Sequence, residues 1–369
     1  MDNDGEALDA FIPIIQKLSD LFTTRRPVDF PRYGDERSLQ IAYGLFFFPQ
    51  NLVRMQLVLT ELLISRIWTP DTAKPLRMLD LGAGLGATGA GAAHHLLADP
   101  HLNLHWDARD HALASLRSLE AFHSAWPEDY RTRLHLTTRQ QDLRKPLALE
   151  QSYDLIVLGF SLNEFMAAHD NPATLRWLTA LGKNLTPDGL LIILEPAEES
   201  VARRLHQIAD AITAEGLLFR HAPQRYQGPP PEQSPYWDHE VRRWTLPPET
   251  AHLNRHLWRN LSELKYSFTV LAPTPPDPLA EEHATTLRLR LVSPLAPLKG
   301  RLVFTGINDE GVRITVEIPT RGLNRTAIKP WLNIERGDTL RIKDANPLGN
   351  PGWYRCPGVQ AIEHLYTLP

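Results

Sequence analysis

The sequence predicts an α/β protein. A seven-stranded sheet, largely parallel and covered by helices on both faces, follows an N-terminal helical cap and precedes a small β-barrel-like domain. Three observations predict this. Short apolar runs alternate with helical stretches from residue 77 to residue 271, the pattern of a parallel sheet. Before that stretch, apolar residues recur at three- and four-residue spacing, one face of a helix. After it, beyond Pro273-Thr274-Pro275-Pro276-Asp277-Pro278, apolar and charged residues alternate strictly, one face of a strand. The implied units are residues 1–70, 71–275 and 284–369.

In the cap, Leu8, Phe11, Ile12, Ile15 and Leu18 share a helix face, and Pro27, Pro31 and Gly34 interrupt it. A second helical stretch runs from Ser38 to Ile67, with a break expected at Pro49. Its Tyr43, Phe46, Phe47 and Phe48 read as a core seam against the next domain. The strands begin with Met78-Leu79-Asp80-Leu81, Leu102 to Trp106 and Leu134-His135-Leu136. Leu155-Ile156-Val157-Leu158, Leu190 to Leu194, Leu217 to His221 and Tyr266 to Leu271 complete the seven. Helices fit at Ala112–Trp126, Ala173–Asn184, Ser200–Glu215 and Pro248–Asn260. In the tail domain, Leu287-Arg288-Leu289-Arg290-Leu291, Val312–Ile318 and Thr339–Lys343 are strands divided by turn residues.

A chain of 369 residues with 43% apolar and 22% charged residues has the composition of a globular protein. That excludes a disordered, collagenous or coiled-coil chain. The single cysteine, Cys356, excludes a disulfide framework and any multi-cysteine metal site. No apolar run reaches 18 residues, so no membrane span is expected. The acidic start, Met1-Asp2-Asn3-Asp4-Gly5-Glu6, is unlike a signal peptide, and the expected location is cytoplasmic. Charge is uneven. Arg288 to the C-terminus carries 12 Lys/Arg and 7 Asp/Glu, a net of +5, which leaves −9 for the rest. A basic tail on an acidic body is compatible with a nucleic-acid partner and does not establish one.

The chemistry-bearing motif is Leu79-Asp80-Leu81-Gly82-Ala83-Gly84-Leu85-Gly86-Ala87-Thr88-Gly89, which follows a strand and opens a helix. Glycines there permit a tight turn and bring bare backbone to a ligand. Gly84, Gly86 and Gly89 also satisfy the dinucleotide spacing, so glycine alone does not choose the cofactor. Asp80 helps to choose. A carboxylate repels a pyrophosphate and suits a cation, which favours S-adenosylmethionine, with its sulfonium and ammonium, over NAD. Gly82, Gly84 and Gly86 then face the methionine part, and Asp80 holds the ammonium directly or through water. Asp107, 21 residues past Gly86 and expected at the end of the second strand, suits the ribose hydroxyls, with Asp110 as a rival. Asp142 suits the adenine amino group. Asn163 and Glu164, after the fourth strand, border the acceptor as candidate catalytic residues or cap the next helix. His221, Asp238 and His239 fit no strong metal pattern, and no metal site is expected.

These segments, in this order, resemble a methyltransferase-like family of mitochondrial small-ribosomal-subunit assembly factors and their bacterial relatives. The resemblance rests on Tyr43-Gly44-Leu45-Phe46-Phe47-Phe48-Pro49, the Asp80 glycine loop, Asn163-Glu164, Ile193-Leu194-Glu195-Pro196 and Leu264-Lys265-Tyr266-Ser267-Phe268. It implies a Rossmann-like methyltransferase sheet, a C-terminal β domain and contact with small-subunit ribosomal RNA. It also implies an iron–sulfur cluster on four cysteines. Here Gln224, Pro230 and Asp238 stand where three of them are expected, and Thr305 to Asn308 holds no fourth. No cluster is therefore expected. Arg225, Tyr226, Tyr236, Trp237, Arg242, Arg243 and Trp244 remain candidates for stacking on bases and neutralising phosphates, or for packing on the neighbouring sheet. The alternatives are a binding factor without catalysis and a methyltransferase of small molecules.

Overall fold

The computed structural model describes residues 2–23, 36–224, 237, 239–257, 261–277 and 285–366. Pro27, Pro31, Gly34, Arg225, Tyr226, Pro230, Tyr236 and Asp238 lie outside the described residues. The chain divides into two units: Met1–Glu195 with Arg243–Leu264, and Pro196–Arg242 with Lys265–Pro369.

The first unit opens with α1 (Asp2–Asp9), α2 (Ile12–Thr23) and α3 (Arg37–Ile64). Contrary to the expected break, α3 runs without interruption through Pro49. Proline supplies no N–H for the carbonyl four residues earlier. That carbonyl, on Leu45, instead accepts a hydrogen bond from the Thr250 hydroxyl at 3.1 Å. Ile15, Leu18, Leu39, Ala42 and Phe46 form a core with Leu253 and Leu257 of the later chain. Of the aromatic run, Phe48 packs edge-on against Phe122 of the following segment at 5.0 Å, whereas Tyr43, Phe46 and Phe47 join the core of the helical cap.

Five parallel strands follow: β1 (Leu76–Leu81), β2 (Leu104–Asp110), β3 (Leu134–Gln140), β4 (Tyr153–Gly159) and β5 (Leu185–Glu195). They lie in the order β3-β2-β1-β4-β5. Between them run α4 (Ala87–Leu96), α5 (Leu113–Ser124), α6 (Glu128–Arg131), α7 (Leu162–Ala168) and α8 (Asn171–Gly182). The strands β1 and β4 are fully apolar at their centres because both faces are covered. Strand order reverses between β1 and β4, and in such Rossmann-like sheets ligands bind beyond the carboxyl ends at that reversal.

The second unit holds α9 (Glu199–Ala214), β6 (Phe219–Ala222) and most of β7 (Glu240–Arg243) and of β8 (Glu263–Ala272). Strand β8 pairs antiparallel with β6 and also carries β7. Strand β7 brings the α/β strands to eight, one more than the sequence predicts. Beyond these lies a mixed sheet of β9 (Leu287–Leu291), β10 (Ala296–Leu298), β11 (Arg301–Ile307), β12 (Arg313–Pro319), β13 (Thr339–Ile342), β14 (Asn346–Pro347), β15 (Trp353–Arg355) and β16 (Ile362–Tyr366). Leu289, Phe304, Val316, Leu340, Ile342 and Cys356 are among its core residues. The thiol of Cys356 donates to the Gly358 carbonyl, and burial pushes it up to about 11. Helix α10 (Pro248–His256) returns to the first unit.

Candidate functional site

The glycine turn leaves β1 and enters α4. Gly82, Gly84 and Gly86 all have positive φ, which an L side chain adopts only at a cost. Space separates their roles. A Cβ on Gly82 would meet Ser161 at 2.4 Å, and one on Gly86 would meet Leu119 at 2.4 Å. A Cβ on Gly84 would meet nothing within 4 Å. Gly84 is thus the turn residue whose backbone faces open space. Its N–H donates to the Asp110 carboxylate at 2.8 Å, and Ala112 N–H donates to the other Asp110 oxygen.

Two of the expected acids stand elsewhere than the sequence suggests. Asp107 is not at the end of β2; the strand continues three residues to Asp110. The Asp107 carboxylate pairs with Arg109 at 2.7 Å and accepts from the Tyr153 hydroxyl at 2.9 Å. It is a structural acid inside the sheet, and Asp110 takes the position at the strand's end. Asp80 is the penultimate residue of β1, and its side chain is fully buried. A Cβ on Gly89 would meet its Oδ2 at 2.3 Å and the Trp106 ring at 2.1 Å, so the carboxylate is enclosed by α4 and β2. It does not reach the open face of the turn, and direct contact with an ammonium is not the geometry found.

Asp80 nevertheless has an unusual electrostatic position. Among the described residues neither of its oxygens has a partner in hydrogen-bond geometry. Burial, reinforced by the negative charge of Asp110, pushes it from 3.8 up to about 7. The indole N–H of Trp106 and the N–H of Gly89 approach it and oppose the shift. A buried carboxylate without a counter-ion is a standing preference for positive charge nearby.

Asp142 follows β3, where Gln141 N–H donates to the Asp110 carbonyl. Its carboxylate is held below the usual range by its bond to Arg144 at 2.9 Å. The Leu143 side chain lies 3.7 Å from where a Gly82 Cβ would stand. His111 bonds Asp110 at 3.2 Å and is raised by it, with Glu164 and Asp142 adding to the effect. Asp110, Asp142 and Glu164 therefore all act on His111, beside the strand end that carries Asp110.

At the end of β4, Phe160 has positive φ without being glycine, a conformation that persists only where the surroundings enforce it. The Ser161 hydroxyl holds the bend by donating to the Leu81 carbonyl at 2.8 Å. Asn163 and the exposed Glu164 begin α7, and Asn163 N–H donates to the buried Glu195 carboxylate at 2.9 Å. Glu195 is thus an N-terminal anchor of α7.

Sequence reasoning missed the contribution of α3. Arg54 lies over the Phe160 ring at 5.6 Å and donates to Asn51 at 2.5 Å. Asn51 in turn donates to the Tyr43 hydroxyl at 2.9 Å. Burial pushes Tyr43 up to about 12, with Glu164 and Asp80 adding to the rise. Gln50, Asn51 and Arg54 are polar residues in the mostly apolar middle stretch of α3, and that was the available signal.

Several candidates for a nucleic-acid surface are structural. Arg242 is buried and pairs with Glu240 and Asp338. The indole N–H groups of Trp237 and Trp244 donate to the carbonyls of Ala197 and Leu261.

No family model and no curated protein matches the chain in sequence. Solved structures with partial likeness include the citrinin polyketide synthase CMeT domain, at 15% identity and a TM-score of 0.41, over 73% of this chain and 66% of that one. Another is the arsenic(III) S-adenosylmethionine methyltransferase CrArsM from Chlamydomonas reinhardtii, at 16% identity and 0.31, over 60% and 72%. A third is the glycopeptide N-methyltransferase MtfA, at 20% identity and 0.29, over 39% of this chain and 55% of that chain's length. No helix among the described residues is long and apolar enough to cross a membrane.

Proposed function

We propose that the first unit binds S-adenosylmethionine and that the protein is a methyltransferase. The observation that carries this reading is the acidic edge of the turn: Asp110 accepts a hydrogen bond from Gly84 N–H, and Asp80 lies buried beneath, where a nearby cation would favour its ionised form. A dinucleotide would bring an anionic pyrophosphate to the same turn, against Asp110. When bound, S-adenosylmethionine supplies an electrophilic methyl group on a sulfonium. The chain's residues bind and orient. Gly82, Gly84 and Gly86 provide the bare turn. Asp110 accepts from the ribose hydroxyls, Asp142 from the adenine amino group, and Leu143 covers the base. Asp80 favours the donor's charge through its field. Asn163, Glu164, Tyr43, Asn51 and Arg54 border the acceptor, whose alignment with the methyl is the main catalytic requirement. Calorimetric titration with S-adenosylmethionine and with NAD tests this. The expected result is saturable donor binding that Asp110→Ala weakens by about tenfold or more. Tighter NAD binding would overturn it.

We propose, as the finer reading, that the acceptor is small-subunit ribosomal RNA or lies beside it. The sequence resemblance supports this, and so does one surface. Lys299, Arg321, Arg325 and Lys329 are exposed, and Thr320 N–H donates to the Gly300 carbonyl, which brings the two turns together. Replacing Arg321, Arg325 and Lys329 by Ala is expected to weaken RNA binding and flatten its salt dependence by about three phosphate contacts. An unchanged salt slope would favour a small-molecule acceptor.

A further inference from the structure

We infer that Asp9, His252 and His256 form a binding site for a divalent transition-metal ion of the zinc type. The three residues come from the two ends of the first unit. His252 and His256 are four apart on α10, which puts both imidazoles on one face. Asp9 ends α1 and faces them. His252 Nε2 lies 2.8 Å from Asp9 Oδ1, and His256 Nε2 lies 3.9 Å from the same oxygen. One ligand atom from each residue falls within 4.8 Å of the others. The two rings stand 4.9 Å apart.

This spacing surrounds a common point. Zinc binds imidazole nitrogen and carboxylate oxygen at about 2.0–2.2 Å, so neighbouring tetrahedral ligand atoms lie roughly 3.3–3.5 Å apart. The observed separations bracket that value, and small side-chain rotations close the difference. The donor set decides the ion. Two imidazoles and a carboxylate suit zinc and its borderline neighbours and do not suit magnesium or calcium, which take oxygen ligands. A proton serves the cluster less well. One shared carboxylate oxygen compensates a single imidazolium, and protonating both rings sets two positive charges side by side. A dipositive ion satisfies both rings in their neutral form and the carboxylate together. All three side chains are partly exposed, from 24% for His252 to 47% for His256. The ion therefore has an entry path and keeps a position for water. Bound there, it staples α1 to α10 across 243 residues of chain.

The test is calorimetry and thermal unfolding of the metal-stripped full chain with Zn²⁺ alone and with Mg²⁺ alone. The expected result is one Zn²⁺ per chain, a higher Tm with Zn²⁺, no response to Mg²⁺, and slower proteolytic release of the N-terminal helix. Asp9→Asn and His252→Ala each lower Zn²⁺ affinity by about tenfold or more. The double variant His252→Ala/His256→Ala loses binding, and His256→Cys, which keeps a ligand, retains it. Zn²⁺ binding that persists in the double variant would overturn the proposal, as would no saturable binding to the parent chain. Loss of binding in His256→Cys while that variant keeps its fold would also count against it.

Discussion

Asp80 shows how burial sets a residue's chemistry. Its folded value near 7 lies above the ordinary 3.8, so the folded chain favours the protonated form. The stability it contributes is complete below about pH 4 and is lost as pH rises through 7. Asp80→Asn removes that loss. Its stability, read as a higher Tm, is expected to exceed that of the parent by a margin that grows from pH 4 to 7 and then levels, at most about 4 kcal/mol of unfolding free energy. Donor affinity above pH 7 is expected to fall in the same variant. Stability and binding thus move in opposite directions, and a Tm margin that stays flat across pH would refute the assignment. The glycine turn itself was legible in the sequence because only glycine fits those backbone angles. The ribose acid was not: Asp107 and Asp110 are both acids of one segment, and which ends the strand depends on how far pairing with β3 extends. The tertiary bond from Asp110 to Gly84 is invisible in a linear reading. So is the Asn51–Arg54 cluster, whose partners lie more than a hundred residues away on Phe160 or nearby on Tyr43.

At the scale of elements, α3 shows where local rules yield to tertiary structure. Proline predicts a break, and the helix continues because Thr250 satisfies the carbonyl that Pro49 leaves open. Thr250→Val is expected to cost about 1 kcal/mol in urea unfolding. In a Pro49→Ala background the new N–H reaches the Leu45 carbonyl, and the cost of Thr250→Val is expected to shrink toward zero. Equal costs in both backgrounds would show that the hydroxyl is not the substitute. The parallel strands were legible because their apolar runs are short and regularly spaced. Strand β7 was not, since Glu240-Val241-Arg242-Arg243 carries three charges and reads as surface. Glu240 and Arg242 are buried, and partners from distant segments make that possible.

At the scale of the whole molecule, those partners organise the second unit. Glu240 receives Arg290 at 2.9 Å and Arg242 at 3.0 Å, and Arg242 also reaches Asp338. Burial alone would raise Glu240; the two guanidinium groups outweigh it and hold the acid below its ordinary range. Its contribution is present above the ordinary value of 4.5 and lost as pH falls through the depressed one. Arg290→Met is expected to destabilise the second unit by about 3–5 kcal/mol, because it leaves buried charge uncompensated. Adding Glu240→Gln is expected to recover part of that loss, as judged by denaturant midpoints. A double variant no better than Arg290→Met would remove the pair from this role. Internal pairing of this kind explains why net charge overstated the tail's free basicity. Arg290 is consumed internally, and Arg301 and Arg355 share Glu317 at 2.6 Å each.

One contact fixes more than its size suggests. A methyl at Gly91 would lie 2.4 Å from the Leu52 carbonyl oxygen, so α3 and α4 touch main chain to main chain there. The helix that follows the glycine turn and the helix that presents Asn51 and Arg54 share a hard stop. Side chains along this crossing are free to diverge between related proteins without altering the spacing, whereas a single added carbon at position 91 would lever one helix off the other.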